Sequence, residues 1–341
     1  MEDVITPRES IQESTISVSI DEQSGIGGAR RSAVALAGAH GLSGDAVGRL
    51  AIVVTEAATN ILRHAGRGTI MLRGVLVGDG PGVEVLALDK GPGIPDIARA
   101  MRDGYSTSGT AGQGLGGIRR MAQAFAIYSQ RSGGTALLAR IGEEHQTGAP
   151  SIDDRVGVVC TALRGETECG DAWRIVLDGH RTTVMVVDGL GHGPHAAAAA
   201  ATATSRIALA GREDAPVLLG ALDGAMRATR GAALSLTVID DSSGEAHFSG
   251  VGNVDGRVIT NGKTSHLVPQ NGILGHAMPT IRASSVTWPA GALLIMHTDG
   301  VSARWHMDAY PGLRAQHPAI VAGVIYRDFA RERDDATVLV L

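Results

Sequence analysis

The amino-acid sequence predicts a two-domain α/β protein, on three observations. The chain has 341 residues, enough for two domains that each bury a core of their own. Strand-like and helix-like patterns mix on both sides of its middle. Between them, the stretch Glu143-Glu-His-Gln-Thr-Gly-Ala-Pro-Ser151 is polar, lacks periodicity and carries Gly and Pro, which marks a linker. The expected division is a domain at 1–142, a linker at 143–152 and a second domain at 153–341. No internal repeat relates the two halves.

In the first half, Ile16 to Ile20 alternates as a strand and Ser24 to Ala39 reads as an Ala-rich helix. Ser43 can cap a second helix that runs to about His64 and closes at Gly66. Strands follow at Thr69 to Val77 and Val83 to Leu88, joined by a turn over Gly78 to Gly82. A Gly-rich stretch then leads to a helix from about Leu115 and a final hairpin around Ser132-Gly-Gly134, with a strand at Thr135 to Ile141. In the second half, strands are expected at Val156, Trp173, Thr182, Leu234, Ala246 and Leu293, with helices near His195, Ala215 and Ala309 and a terminal strand at Val338 to Leu341.

Hydrophobic residues make up 44% of the chain but aromatics only 3%, so the cores must be built from Ala, Val, Leu and Ile. The net charge of -5 gives no general attraction to nucleic acid or anionic lipid. Lys90 and Lys263 are the only lysines among 30 basic residues, which reads as compositional bias. Apolar runs such as Ala196 to Ala201 fall well short of a membrane span, and the amino terminus lacks the basic-then-apolar pattern of a signal peptide. Cys160 and Cys169 are expected as reduced thiols. These features predict a cytoplasmic protein with no nucleic-acid or membrane partner.

Three segments of the first half carry candidate chemistry. Glu56, Asn60 and His64 are spaced i, i+4, i+8 on one helical stripe. There an amide oxygen can hold Mg²⁺ and a carboxylate can take a proton from a hydroxyl. Alone, the triplet suits a solvated helix face better. Asp89-Lys-Gly-Pro-Gly-Ile-Pro95 leaves a strand: an Asp there can accept from an adenine amino group, and Gly91 and Gly93 allow close backbone approach. A plain turn has the same composition. Gly104 to Gly117 is Gly-rich and feeds a helix amino terminus, which suits phosphates or a simple surface loop.

Together, in this order, the segments resemble the GHKL (Bergerat-fold) ATPases. Glu56-Ala-Ala-Thr-Asn60-Ile-Leu-Arg-His64-Ala65 looks like the N box, Asp89-Lys-Gly-Pro-Gly-Ile94 like the G1 box and Gly112-Gln-Gly-Leu-Gly116 like the G2 box. Within that superfamily the likeness is to the RsbT-type switch kinases, over about Val4 to Arg140. The resemblance implies a Bergerat-type α/β sandwich that binds ATP with Mg²⁺. Glu56 would be the catalytic base for a partner's serine and Asn60 the Mg²⁺ ligand. Asp89, Gly91, Gly93, Ser106, Thr107, Gly112, Gly114, Leu115, Gly116 and Thr135 would contact ATP, Gly134-Thr135 near the base. Gln123 stands where an Asp is common in the group. His64 is a poor phospho-acceptor, since no separate acceptor helix domain is present.

In the second half, Asp-Gly pairs sit at strand ends in apolar surroundings: Asp188-Gly-Leu-Gly, His-Thr-Asp299-Gly300, and Cys169-Gly-Asp171 before a strand. Arg333-Asp334-Asp335 precedes the last strand. Any one is a turn; four acids at neighbouring strand ends would repel unless cations lay among them. With Val251-Gly-Asn253-Val, these motifs resemble the PPM (PP2C-like) phosphatases of the SpoIIE branch, the RsbX type in particular, over about Asp153 to Leu341. That implies a PP2C-like α-β-β-α sandwich with two Mn²⁺ or Mg²⁺ ions. Asp171, Asp188, Asp299 and Asp334 would be ligands, with the Gly189 carbonyl. Asp335 is the neighbour of Asp334 and hard to separate from it. His192 and His195 suit a solvent-facing loop better than hard-cation ligation.

The expectation is a partner-switching regulator that phosphorylates and dephosphorylates a serine on STAS-domain anti-anti-sigma or stressosome proteins. A sigma factor or downstream regulator is a further expected partner; the assembly is left open between a monomer and a homodimer, since kinases of this type often pair. The rival reading makes the first half an ATP-dependent binding module without kinase activity, joined to an active phosphatase.

Overall fold

The computed structural model describes residues 9–11, 14–101, 114–143, 151–208, 213–278 and 280–341. In chain order the elements are β1 (Glu9–Ile11), β2 (Ile16–Ile20), α1 (Gln23–Ala39), α2 (Gly44–Ala65), β3 (Gly68–Val77), β4 (Gly80–Asp89), α3 (Ile97–Ala100), α4 (Leu115–Met121), β5 (Ala124–Gln130) and β6 (Gly134–Gly142). There follow β7 (Gly157–Thr161), β8 (Asp171–Asp178), β9 (Arg181–Gly189), α5 (Pro194–Ala208), α6 (Ala215–Met226), β10 (Ala232–Asp240), β11 (Glu245–Val251), β12 (Asp255–Thr260) and β13 (Lys263–Leu267). The chain ends with β14 (Ser284–Thr287), β15 (Leu293–His297), α7 (Pro318–Phe329) and β16 (Ala336–Val340).

These elements gather into two compact units that interleave in sequence. The first contains Glu13–Val159 and Trp305–Asp328, the second Met1–Gln12, Cys160–Arg304 and Phe329–Leu341. Packing thus groups the chain differently from a cut at 143–152, because residues 153–159 and 305–328 belong with the first unit.

In the first unit a five-stranded antiparallel sheet runs in the order β2-β3-β4-β6-β5. The Ser43 hydroxyl caps α2 by accepting from the Ala46 N–H at 3.4 Å, and Gly66, at φ +75°, stops the helix. Leu50, Val53, Val54, Ala57, Ala58 and Ile61 of α2 are buried at the spacing of a helical stripe. They share a core with Ile70, Leu72, Val83, Val85, Leu137 and Ile141 of the sheet. The β3–β4 turn is tighter than the expected Gly78 to Gly82, because Val77 already pairs with Gly80 and Gly78 supplies a positive φ of 59°.

The opposite face of this sheet is also covered. Arg73 pairs across the strands with Glu84, and Glu84 with Arg140. All three are at most 2% exposed. Glu84 meets Arg73 at 3.3 Å and Arg140 at 2.7 Å. Burial alone would raise its carboxyl, but the two guanidiniums hold it below the usual range. Residues 151–155 close over this row: the Asp153 carboxylate accepts from Arg73 at 3.1 Å and from the Leu76 N–H at 2.8 Å. Such a network contributes little net stability when whole, but losing one partner costs about 3–5 kcal/mol. Farther along the same face, α7 approaches β4 closely. A Cβ on Gly323 would stand 2.7 Å from a Leu86 methyl, and Ala319 through Ile325 are all buried.

The second unit contains two sheets, ordered β1-β8-β9-β10-β11-β14 and β13-β12-β15-β16-β7; the unit boundary after Val159 falls inside β7. They face each other where the Thr237 hydroxyl meets the Met296 sulfur at 3.6 Å. Helices α5 and α6 pack on the six-stranded sheet through Ala199, Ala203, Leu219, Leu222, Leu234 and Leu236. The helix expected near Ala309 is a correction. Only a single 3₁₀ turn, Met307–Ala309, forms there, because Pro311 and Gly312 (φ +78°) interrupt the chain. The helix starts instead at Pro318.

Candidate active sites

The first unit gathers its candidate residues where α2, the end of β4 and the β5–β6 hairpin meet. Asp89 is the last residue of β4. Its Oδ1 accepts from the Gly91 N–H at 2.7 Å and the Thr135 N–H at 3.3 Å. Burial raises this carboxyl, while those two N–H groups, Arg327 and His64 oppose the rise. Gly91 abuts the end of α2, since a Cβ there would lie 2.7 Å from the Ala65 methyl. Gly93, at φ +75°, runs against the hairpin, where a Cβ would strike the Gln130 carbonyl oxygen at 2.2 Å. The Ser129 hydroxyl accepts from the Ile94 N–H at 2.8 Å and lies 3.0 Å from the Thr135 hydroxyl. The turn after β4 and the hairpin are thereby stitched together.

Glu56 and Asn60 are half-buried on one face of α2. Burial raises the Glu56 carboxyl against the opposing charge of Arg63, a shift toward the range in which a base works near neutral pH. Gly114 stands at the N-cap of α4, with Leu115 and Gly116 in its first turn. Ser106, Thr107 and Gly112 lie outside the described residues. Gln123 holds the end of the sheet with both ends of its amide: Nε2 donates to the carbonyls of Gly142 and Glu143, and Oε1 accepts from the Gly142 N–H at 3.0 Å. An Asp, lacking the donors, could not make all three bonds.

In the second unit, Asp171 opens β8 and stands directly across from Asp188 near the end of β9. Asp171 is 4% exposed, and Oδ2 accepts from the Thr298 hydroxyl at 2.7 Å. Burial, then Asp188, pushes its carboxyl well above the usual range. Asp188 is pushed up to about 7 by burial and by Asp299, Asp334 and Asp335. Gly189 donates its N–H to the Gly170 carbonyl at 3.0 Å, tying together the loops that carry these two acids. The Asp299 Oδ2 accepts from the Asn253 amide at 2.6 Å, and its carboxyl is raised by burial and by Asp334.

The adjacent acids Asp334 and Asp335 differ sharply. Asp335 is 3% exposed and spends both oxygens on main-chain donors, Leu163 N–H at 2.6 Å and Gly170 N–H at 2.8 Å. Asp334 is exposed. His192 points to Glu166, at 2.8 Å. Cys160 and Cys169 are both free thiols, their sulfurs 3.9 Å apart. Among the described residues, no three His, Cys, Asp or Glu side chains are gathered so as to hold a metal ion as they stand.

Residues 21–141 match the histidine kinase-like ATPase domain family, and residues 178–341 match the stage II sporulation protein E (SpoIIE) family. Over 91 residues the chain is 41% identical to the serine/threonine-protein kinase RsbT of Bacillus subtilis (strain 168), covering 27% of this chain and 68% of that protein. The chain belongs to the RsbT-like ATPases, fused to a SpoIIE-family domain. The SpoIIE-type part is 28% identical over 141 residues to the phosphoserine phosphatase RsbX of the same organism, covering 40% of this chain and 70% of RsbX. A solved stressosome-system structure is 26% identical, with a TM-score of 0.51, over 55% of this chain and 97% of that one.

The chain thus joins a segment that matches the histidine kinase-like ATPase domain family to one that matches the SpoIIE family. Among the described residues, no helix is long and apolar enough to cross a membrane. Sequence reasoning did not single out Ser129, Thr298 or Arg327. Thr298 could have been found, because it adjoins Asp299 and its hydroxyl reaches Asp171. Arg327 gives no local sign of its contact with this site, since Asp89, whose carbonyl it reaches, lies 238 residues away.

Proposed function

We propose that this RsbT-like/SpoIIE-type fusion both sets and resets the phosphorylation of a serine on a STAS-domain protein of the anti-anti-sigma or stressosome class. In the kinase direction, Asp89 accepts the adenine amino group, Thr135 lies beside the base, and the loop ending at Gly112 to Gly116 surrounds the phosphates. Asn60 holds Mg²⁺, and Glu56 takes the proton from the partner's serine hydroxyl. The observation that carries this reading is the half-buried Glu56, its carboxyl raised, one helical turn from Asn60. A pure binding module has no use for a base at that position.

In the reverse direction, Asp171, Asp188, Asp299 and Asp334 with the Gly189 carbonyl would hold two Mn²⁺ or Mg²⁺ ions. The donor chemistry fits: the set is all oxygen, as hard cations require, and its charges oppose one another at Asp188. Ligation requires the carboxylates to turn toward a common point. When bound, the ions neutralise phosphate charge and activate a water. Thr298 orients the Asp171 carboxylate, Asn253 orients that of Asp299, and Asp335 fixes the loops beneath them without ligating.

The test is a time course of labelled phosphate on the serine of a purified STAS protein, with Mg-ATP first and Mn²⁺ added later. Label that appears and then falls is expected, the fall disappearing in Asp188→Asn. Label that never appears, with Mn²⁺-dependent hydrolysis of a phosphoserine peptide intact, would leave an ATP-dependent binding module joined to a phosphatase.

A further inference from the structure

The segment 305–328 carries one cation into the nucleotide end of the first unit. Arg327 donates from Nη1 to the main-chain carbonyl of Asp89 at 3.0 Å. Its Nε and Nη2 donate to the two carboxylate oxygens of Asp328 at 2.9 and 2.8 Å. Asp328 also accepts from the Tyr310 hydroxyl at 2.9 Å. The Arg327 side chain is 5% exposed. Gly134, at φ +79°, is pressed into the same place: a Cβ there would lie 2.0 Å from the Asp89 carbonyl oxygen and 2.9 Å from the Arg327 Nη1. Guanidinium, Asp89 main chain and hairpin glycine form one packed group, and the next residue, Thr135, donates to the Asp89 side chain.

We propose that Arg327 is a positioning residue for purine recognition: by fixing the main chain of Asp89 it aims the carboxylate that tells an adenine from a guanine. The proposal rests on the reading of Asp89 as the adenine acceptor and goes beyond it, by assigning the aim of that acceptor to a residue that the sequence places between Asp299 and Asp334. The two parallel bonds to Asp328 fix the plane of the guanidinium. One remaining N–H is thereby directed at the Asp89 carbonyl with little side-chain entropy left to lose. The charge of Arg327 also opposes the rise that burial imposes on the Asp89 carboxyl, keeping it an acceptor. An ammonium has the charge but not the fork, so Lys at this position should serve only in part.

The experiment measures equilibrium binding of Mg-ATP and Mg-GTP to the full chain, in the wild type and in Arg327→Ala, Arg327→Lys and Asp328→Asn. Arg327→Ala should bind ATP about tenfold more weakly, with GTP little changed, so that the preference for ATP falls by a similar factor. Arg327→Lys and Asp328→Asn should lie between. Far-UV circular dichroism and melting check the fold, and Asp328→Asn keeps the test alive if the alanine variant does not fold. Unchanged ATP affinity, or equal weakening toward both nucleotides, would overturn the proposal and leave Arg327 a packing residue. A wild-type chain that binds ATP no better than GTP would instead overturn the adenine reading of Asp89, and this proposal with it.

Discussion

Asp171 and Asp188 face each other directly across adjacent antiparallel strands, both with carboxyls raised by burial. Like charges directly opposite in a sheet destabilise it, so this pair sacrifices stability for a purpose. Asp188→Asn should raise the metal-free melting temperature by a few degrees, about 1 kcal/mol, while abolishing phosphatase activity. Added Mn²⁺ should stabilise the wild type by about 2–3 kcal/mol at a hundredfold excess over its dissociation constant and the variant far less. Equal thermal shifts in both proteins would remove Asp188 from the metal-binding set.

The two acids of Arg333-Asp334-Asp335 separate by the same logic. Asp335→Ala strips acceptors from the N–H groups of Leu163 and Gly170, an expected loss of about 1–3 kcal/mol for each donor left buried without a partner. Asp334 is exposed, so Asp334→Ala should leave the melting temperature nearly unchanged and cut Mn²⁺-dependent phosphatase turnover. Thermal melts and a phosphoserine-peptide assay on both variants decide between them. The opposite pattern would make Asp335 the ligand.

Glu56 can be separated from nucleotide binding. Glu56→Gln keeps the size and polarity of a half-buried side chain but cannot take a proton. ATP affinity should stay within about twofold, and serine phosphorylation should fall by about 10²–10⁴, the usual contribution of a positioned base. Phosphorylation at the wild-type rate would assign Glu56 a structural role and favour the binding-module reading.

Much of this was legible in the sequence because the signals are local. The Ser43 cap, the Gly66 stop and the 3.6-residue stripe from Leu50 to Ile61 gave α2 nearly to the residue. Asp188-Gly and Asp299-Gly marked strand ends because each follows a short apolar run, Val184 to Val187 and Leu293 to Met296. What escaped is non-local. Arg73, Glu84 and Arg140 look like solvated positions one at a time, and only strand register makes them a buried row. The helix was expected near Ala309, not over the apolar run from Ala319 to Ile325, and nothing in that run says which sheet it covers. That is why residues 305–328 pack with a unit most of whose sequence lies more than 150 residues earlier.

The same segment predicts acid sensitivity. His317 precedes α7, and its Nδ1 accepts from the Ala319 N–H at 3.0 Å, so the ring is neutral with its proton on Nε2. Burial, then the nearby Arg140, pushes its pKa down to about 4, against about 6.5 in the unfolded chain. Between those values the unfolded chain takes up a proton that the folded one refuses, so stability must fall as the pH drops through this window. A full shift corresponds to about 3 kcal/mol at 1.36 kcal/mol per unit. Asp188, raised in the folded state, contributes a slope of the opposite sign, so the effect is read as a difference between proteins. His317→Asn keeps an acceptor for the Ala319 N–H and removes the titration. Urea unfolding from pH 7 to pH 4.5 should show the wild type losing about 2 kcal/mol more than the variant. Parallel curves would mean that His317 takes up its proton alike in the folded and unfolded chains, and that the Ala319 bond does not hold the ring neutral.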